Sequence, residues 1–355
     1  MMREGRQYEF DVLRIVAMFF VILTHVCASE IHDLPVTSSD FVILNTWGAA
    51  VTWDVPVFVM ISGRFFLDPD REISIPKIFG KYIRRLIVAF AFWSAAMTCI
   101  YIYRDFLSTG NIFFNWKWYL VSLVTGPYHL WFVFMIVGLY MATPLLRKIV
   151  EDKSLTQYFI ILAILFETLI KYGVLLPFVG GAISDILYDL HFDIVLGYTG
   201  YFMLGYYLYH YQDEISIKLE KIIYVLGAIC VVFACIATAV HSVLDGEPNE
   251  FFSTYQTPNV MMTAAAVYLF TIKRVGKYPF STKGKRIIEK LAANSMGMYF
   301  CHAVVIELVC GKGRMLPTMG TALVMPFIIT VIVFTVSFAV VEVFAKIPLL
   351  RKVVG

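Results

Sequence analysis

The sequence predicts an all-α polytopic membrane protein: a bundle of about ten transmembrane helices with both termini cytoplasmic. Three observations carry this. Of the 355 residues, 59% are hydrophobic and only 15% are charged, against about 25% charged in an ordinary soluble protein. The apolar residues gather in runs long enough to cross a bilayer, which takes about 20 residues of helix. The 29 Lys and Arg residues fall unevenly between the two sides those runs define. A soluble enzyme, a disordered chain and a disulfide-stapled secreted module are excluded, because so much exposed apolar surface would not stay dispersed in water.

The runs, in order, are 10–29, 45–67, 86–103, 128–146, 155–176, 191–211, 221–241, 255–272, 291–310 and 317–345. The eighth is short and opens on Pro258. The stretch 111–126 is also apolar, but Trp116, Lys117, Trp118 and Tyr119 suit a helix lying in the aromatic interface. With the N-terminus inside, 22 of the 29 basic residues sort to the cytoplasmic side. Outside remain Arg104, Lys117, Lys171, Lys312 and Arg314, while Arg14 and Arg64 lie within spans. Counting 111–126 as an eleventh span would place Lys273 to Lys290 outside, against the positive-inside rule. The loop 242–257 agrees, holding Asp245, Glu247 and Glu250 and no Lys or Arg. A rival reading makes the N-terminus a cleavable signal peptide, with Arg3, Arg6, the apolar run 15–24 and Val26-Cys27-Ala28. Glu9, Asp11 and Arg14 lie unusually close to such an apolar core.

No linker is long enough for a soluble domain, so residues 1–355 read as one membrane domain. No internal repeat or inverted pair of broken helices is present, which weighs against a transporter. Cys27, Cys99, Cys230, Cys235, Cys301 and Cys310 lie in or beside apolar runs and read as small buried hydrophobes. There is no P-loop, no GxGxxG and no metal-ligand spacing; neither a metal nor a nucleic-acid partner is expected.

The chemistry starts in the first span. Arg14 and His25 are eleven residues apart, and at about 100° per residue both fall on one helix face. Asp11, three residues before Arg14, can pair with it. The rise between Arg14 and His25 is about 16 Å, so one face carries a polar group at each end of a path across the membrane. Ionisable groups inside a span are functional by default. The plainer alternative has Arg14 snorkelling to the inner headgroups and His25 as a satisfied helix-end histidine.

These residues open a series of motifs that resembles the acyltransferase-3 family of integral-membrane, acyl-CoA-dependent acyltransferases. Asp11-Val12-Leu13-Arg14 through His25 is similar to its first-helix signature. Val55-Pro56-Val57-Phe58-Val59-Met60-Ile61-Ser62-Gly63 resembles its second-helix motif, and Lys81-Tyr82-Ile83-Arg84-Arg85-Leu86 the basic start of its third helix. His129-Leu130-Trp131-Phe132, Gly200-Tyr201-Phe202-Met203-Leu204-Gly205, Ser295-Met296-Gly297-Met298-Tyr299-Phe300-Cys301-His302 and Ile347-Pro348-Leu349-Leu350-Arg351 resemble later landmarks. Arg64 departs from the pattern, standing where the family more often has an aromatic or aliphatic residue.

The resemblance implies an O-acyltransferase of a bacterial cytoplasmic membrane. It would move an acyl group, expected to be acetyl, from cytoplasmic acyl-CoA to a hydroxyl of a cell-envelope glycan or lipid-linked sugar. Acyl-CoA is a co-substrate, and no tightly bound cofactor is expected. His25 is the expected general base, its ordinary pKa being suited to proton exchange near neutrality. Arg14 would bind the donor or polarise its carbonyl, with Asp11 orienting it. Lys81, Arg84 and Arg85 would hold the phosphates of coenzyme A, or serve only as topological charges. Ser62 would hydrogen-bond near the donor, or be a small residue for helix packing. His129, Trp131 and His302 are candidate acceptor-binding residues; for His129 the alternative is an interfacial belt position. Glu167 and Glu307 read as buried acids. The rival functions are a transporter or glycan exporter using Arg14 and His25 as a proton relay, and a non-catalytic scaffold.

Overall fold

A computed structural model describes residues 5–31, 33–190, 197–310 and 321–354. Lys312, Arg314, the first residues of the runs 191–211 and 317–345, and the side chains of Glu167 and Cys310 lie outside the described residues. Every regular element described is helical, and the protein is an all-α polytopic membrane protein. The principal helices are α1 (Tyr8–Ile31), α2 (Ser39–Val51), α3 (Asp54–Phe66), α4 (Arg84–Thr109), α5 (Trp116–Thr125), α6 (Trp131–Ile149) and α7 (Lys153–Leu162). They continue with α8 (Gly180–Leu190), α9 (Gly197–His210), α10 (Ile217–Asp245), α11 (Pro258–Lys273), α12 (Thr282–Cys310), α13 (Met325–Lys346) and α14 (Arg351–Val354).

Local chemistry explains several starts. Ser38, Asp152 and Ser216 accept the orphan N–H groups of Phe41, Leu155 and Leu219 at 3.2, 2.9 and 3.2 Å, capping α2, α7 and α10. A wide π-helical turn, Ile78–Ile83, leads into α4 and carries Lys81. The open end of α3 is closed from a distance: the Arg147 guanidinium donates to the carbonyls of Phe66, Asp68, Pro69 and Arg71 at 2.8–3.2 Å.

Among the described residues, eight helical segments are long and apolar enough to cross a membrane. The difference from ten lies in the expected runs 191–211 and 255–272. There α11 has only 16 residues and is packed deep in the bundle, while α9 is described only from Gly197 onward. The expected run 45–67 is two helices, α2 and α3, interrupted at Thr52-Trp53. The outer surface of α10 is a continuous apolar stripe with Ile222, Val225, Ile229, Val232, Ile236 and Val240 exposed, the form of a lipid-facing helix.

Helix α1 is the hub, touching α2, α3, α11, α12 and α13, and its Phe10, Ala17, Met18, Ile22 and Leu23 are completely buried. The tightest pairing joins α3 to α9. A Cβ at Gly63 would fall 1.8 Å from the Phe202 carbonyl oxygen, and one at Gly205 would fall 2.1 Å from that of Met60. Without lipid-excluding hydrophobic pressure, membrane helices associate through such close backbone contacts. The short α14 tucks between α4 and α12: Val353 and Val354 are buried, and Trp93 donates its indole N–H to the Val353 carbonyl at 2.9 Å. This places Arg351 and Lys352 beside the start of α4.

Candidate active site

Three cavities and an imidazole cluster make up the site, the second and third cavities and the cluster drawing residues from α1. The first cavity, about 660 Å³, is basic, lined by Lys81, Arg84, Arg85, Arg351 and Lys352 with Pro348. The second, about 370 Å³, is lined by Arg14, Ser62, Arg85 and Tyr140 together with Val21, Val55, Tyr299 and Phe300. Arg85 borders both. Arg14 and Val21 are two turns apart and His25 is one turn further, so the second cavity climbs the helix face on which His25 stands. Arg14 is held by Asp11 at 3.7 Å, and Asp11 accepts Arg6 Nε at 2.6 Å. Outside the spans, the hydrogen bond to Asp11 holds the Arg6 guanidinium above its ordinary pKa. The Arg14 guanidinium also lies 5.2 Å from the Phe65 ring centre.

The cluster joins three helices' worth of sequence. His25 from α1 stacks on His302 from α12, ring centres 5.3 Å apart and 29° between planes. His129, from the turn before α6, lies 4.9 Å from His302 and 6.5 Å from His25. His302 Nδ1 is 2.6 Å from the Tyr299 carbonyl. A carbonyl only accepts, so Nδ1 is the donor, and Nε2 of the neutral ring is left as an acceptor. His129 Nε2 approaches the Phe300 carbonyl at 3.4 Å, which leaves Nδ1 in the same position. Both of these ring nitrogens, His302 Nε2 and His129 Nδ1, are buried without a hydrogen-bond partner. Both rings that carry these unpartnered nitrogens pack against His25. Tyr299 fixes the cluster from below, its hydroxyl donating to the His129 carbonyl.

The third cavity, about 410 Å³, opens at the other end, with Thr24, Asn45, Thr52, Trp131, Tyr198 and Tyr255 in its wall. None of the three imidazoles lines the second or third cavity, but residues near them in sequence line both. Along α1, Val21 faces one cavity and Thr24 the other, and after His129, Phe132 faces the first of these and Trp131 the second. A family model described as an acyltransferase domain matches residues 7–345. The chain belongs to the acyltransferase-3 family. Comparison with curated proteins found no match, and comparison with solved structures found none.

Membership makes this a membrane acyltransferase, and the geometry shows where its polar residues stand. Arg14, Ser62 and Arg85 share the second cavity; Lys81 and Arg84 are in the first. His129 is only 2% exposed and belongs with His25 and His302, not with an interfacial belt. Trp131 lines the third cavity. Arg64 turns away from Ser62: it pairs with Asp68 at 2.6 Å, lies 3.7 Å over the Tyr209 ring and faces a separate cavity. Glu307 is half-buried rather than buried, because it pairs with Arg104 at 2.9 Å and ties α12 to the end of α4. Among the described residues, no group of three or more His, Cys, Asp and Glu converges as metal ligands would.

Asp54 is the functional candidate that sequence reasoning missed in this acyltransferase. It is completely buried and accepts Thr24 Oγ1 at 3.0 Å and the Val55 N–H at 2.5 Å, fixing the residue next to His25. An acid inside the run 45–67 was itself the signal, since a buried charge in a span is a functional position by default. Arg351 was visible in the closing motif, but only the docking of α14 brings it to Lys81 and Arg84.

Proposed function

We propose that the protein is an O-acyltransferase of the cytoplasmic membrane that moves an acyl group, acetyl by preference, from cytoplasmic acyl-CoA to a hydroxyl of a cell-envelope glycan or lipid-linked sugar. The observation that carries this is Arg85, which lines both a basic cavity and a neighbouring one that climbs the face of α1 on which His25 stands. Coenzyme A has that form: an anionic nucleotide on a long thin arm. Arginine forks in the basic cavity suit its phosphates, and the apolar walls of Val21, Val55 and Phe300 suit the arm. The basic cavity lies on the side to which most Lys and Arg sort, which orients it to the cytoplasm.

In the transfer, His25 takes the proton of the acceptor hydroxyl as its oxygen attacks the thioester carbonyl carbon. The C–S bond breaks, the ester forms, and the proton passes to the departing thiolate of coenzyme A. Arg14, oriented by Asp11, stabilises negative charge developing on the carbonyl oxygen or holds the donor arm. His129 and His302 orient His25. The test is transfer of label from acetyl-CoA in proteoliposomes. Arg85→Gln is expected to raise KM for acetyl-CoA between about tenfold and a hundredfold, the worth of a charge-assisted hydrogen bond, while kcat stays nearly unchanged. Lys81→Gln, which removes a flexible point charge, is expected to do less. Substrate movement without thioester cleavage would instead support export.

A further inference from the structure

The chemistry of the third cavity's lining restricts what could occupy it. Its 410 Å³ is within the range of small-ligand sites. One wall is aromatic: Trp131 is stacked on Tyr255 with ring centres 5.7 Å apart, and Tyr198 is 5.6 Å from Trp131. The lining also holds Asn45, only 6% exposed, whose amide nitrogen is buried without a partner. A donor in that state costs free energy unless a ligand oxygen meets it. Gln256 contributes a second amide, its oxygen already taken by Lys171 Nζ at 3.0 Å, so its N–H groups remain to donate. Thr24 and Thr52 each spend their hydroxyl proton elsewhere, on Asp54 and on the Ala49 carbonyl, so their oxygens present lone pairs to the cavity. Glu250, exposed at the rim, is the one charged side chain in the lining among the described residues.

An apolar ring face beside alternating donors and acceptors matches a pyranose, whose C–H face stacks on indole and phenol and whose hydroxyls both donate and accept. With a carboxylate at the rim, Lys171 engaged by the Gln256 oxygen, and no cation lining the cavity among the described residues, an acidic sugar is disfavoured by repulsion and unpaired charge. We propose that this cavity is the acceptor site and that it selects a neutral pyranose unit over a uronic acid, Asn45 and Trp131 being its principal contacts. The proposal rests on the acyltransferase reading for its role, but binding can be tested without the reaction.

Gly48 lines the cavity, and a Cβ there would meet nothing within 4 Å, so Gly48→Cys is a tolerated reporter. In proteoliposomes without acyl-CoA, its modification by an impermeant methanethiosulfonate is measured against methyl glucopyranoside and methyl glucuronide, with the unsubstituted protein correcting for Cys27. The neutral glycoside is expected to slow modification and the glucuronide to leave it unchanged. Adding Asn45→Leu should raise the glycoside concentration for half-protection about tenfold. Adding Glu250→Gln, a rim change that leaves the packing intact, should let the glucuronide protect. Equal protection by both glycosides, or protection by neither, overturns the proposal. Selective protection in a protein that transfers no label from acetyl-CoA upholds the site and overturns the proposed transfer from acetyl-CoA. Transfer to methyl glucopyranoside with a KM unchanged by Asn45→Leu overturns the site and leaves that transfer standing.

Discussion

His25→Ala is expected to lower acetyl transfer about a thousandfold, within the range that a positioned general base contributes. The measurement is initial rate of label transfer in proteoliposomes, with insertion checked by the elution profile of the solubilised protein. The variant removes the ring that stacks on His302 at 5.3 Å, so a packing loss must be separated from a chemical one. His25→Gln does that: glutamine fills much of the same space and hydrogen-bonds, but exchanges no proton near neutrality. Both variants should lose kcat and retain affinity for coenzyme A, because the basic cavity and Arg85 lie at the far end of the path. If His25→Gln keeps near-normal kcat while His302→Gln loses it, the base is His302, whose Nε2 is already an unpartnered acceptor.

The parts of this site that follow from helix periodicity are legible in the amino-acid sequence alone. Arg14 and His25 are eleven residues apart in one helix, and the 3.6-residue repeat puts them on one face. Lys81, Arg84 and Arg85 are visible as a basic cluster beside an apolar run. The clustering of His25, His129 and His302 is of another kind. It depends on how α1, α6 and α12 pack, and packing between helices leaves no local periodicity to read. For the same reason Ser62 and Tyr140 could not be paired into one cavity, nor Arg351 brought to Lys81. The short helix α11 shows a related limit. Hydropathy reports that a segment avoids water, and it cannot distinguish lipid from a protein interior. Ala264, Tyr268 and Leu269 of α11 are buried in the bundle, and that helix need not match the bilayer in length.

Gly63→Ala and Gly205→Ala are each expected to destabilise the protein by about 3 kcal/mol or more, the upper end for overpacking a rigid core. Both residues belong to motifs that the family resemblance picks out, and the structure shows that they are two sides of one contact. Gly63 on α3 meets Phe202 on α9, while Gly205 on α9 meets Met60 on α3, as two antiparallel helices crossing at touching backbones require. The added methyl would overlap carbonyl oxygen and Cα atoms, not the end of a flexible side chain, so no rotamer change relieves it. The helices must separate, and α3 carries Asp54, Val55 and Ser62 with it, while the Tyr268 hydroxyl loses its 3.0 Å bond to the Gly205 carbonyl. Activity should therefore fall together with thermal stability, unlike in His25→Gln, where only activity falls. Gly138→Ala is the control: a Cβ there meets nothing within 4 Å, and relief of glycine's helix penalty should stabilise by about 0.5–1 kcal/mol. Because each substitution at the crossing forces the same separation, the double variant should cost less than the two single losses combined. Full additivity in thermal melts of the solubilised protein would show that the two glycines act at independent contacts.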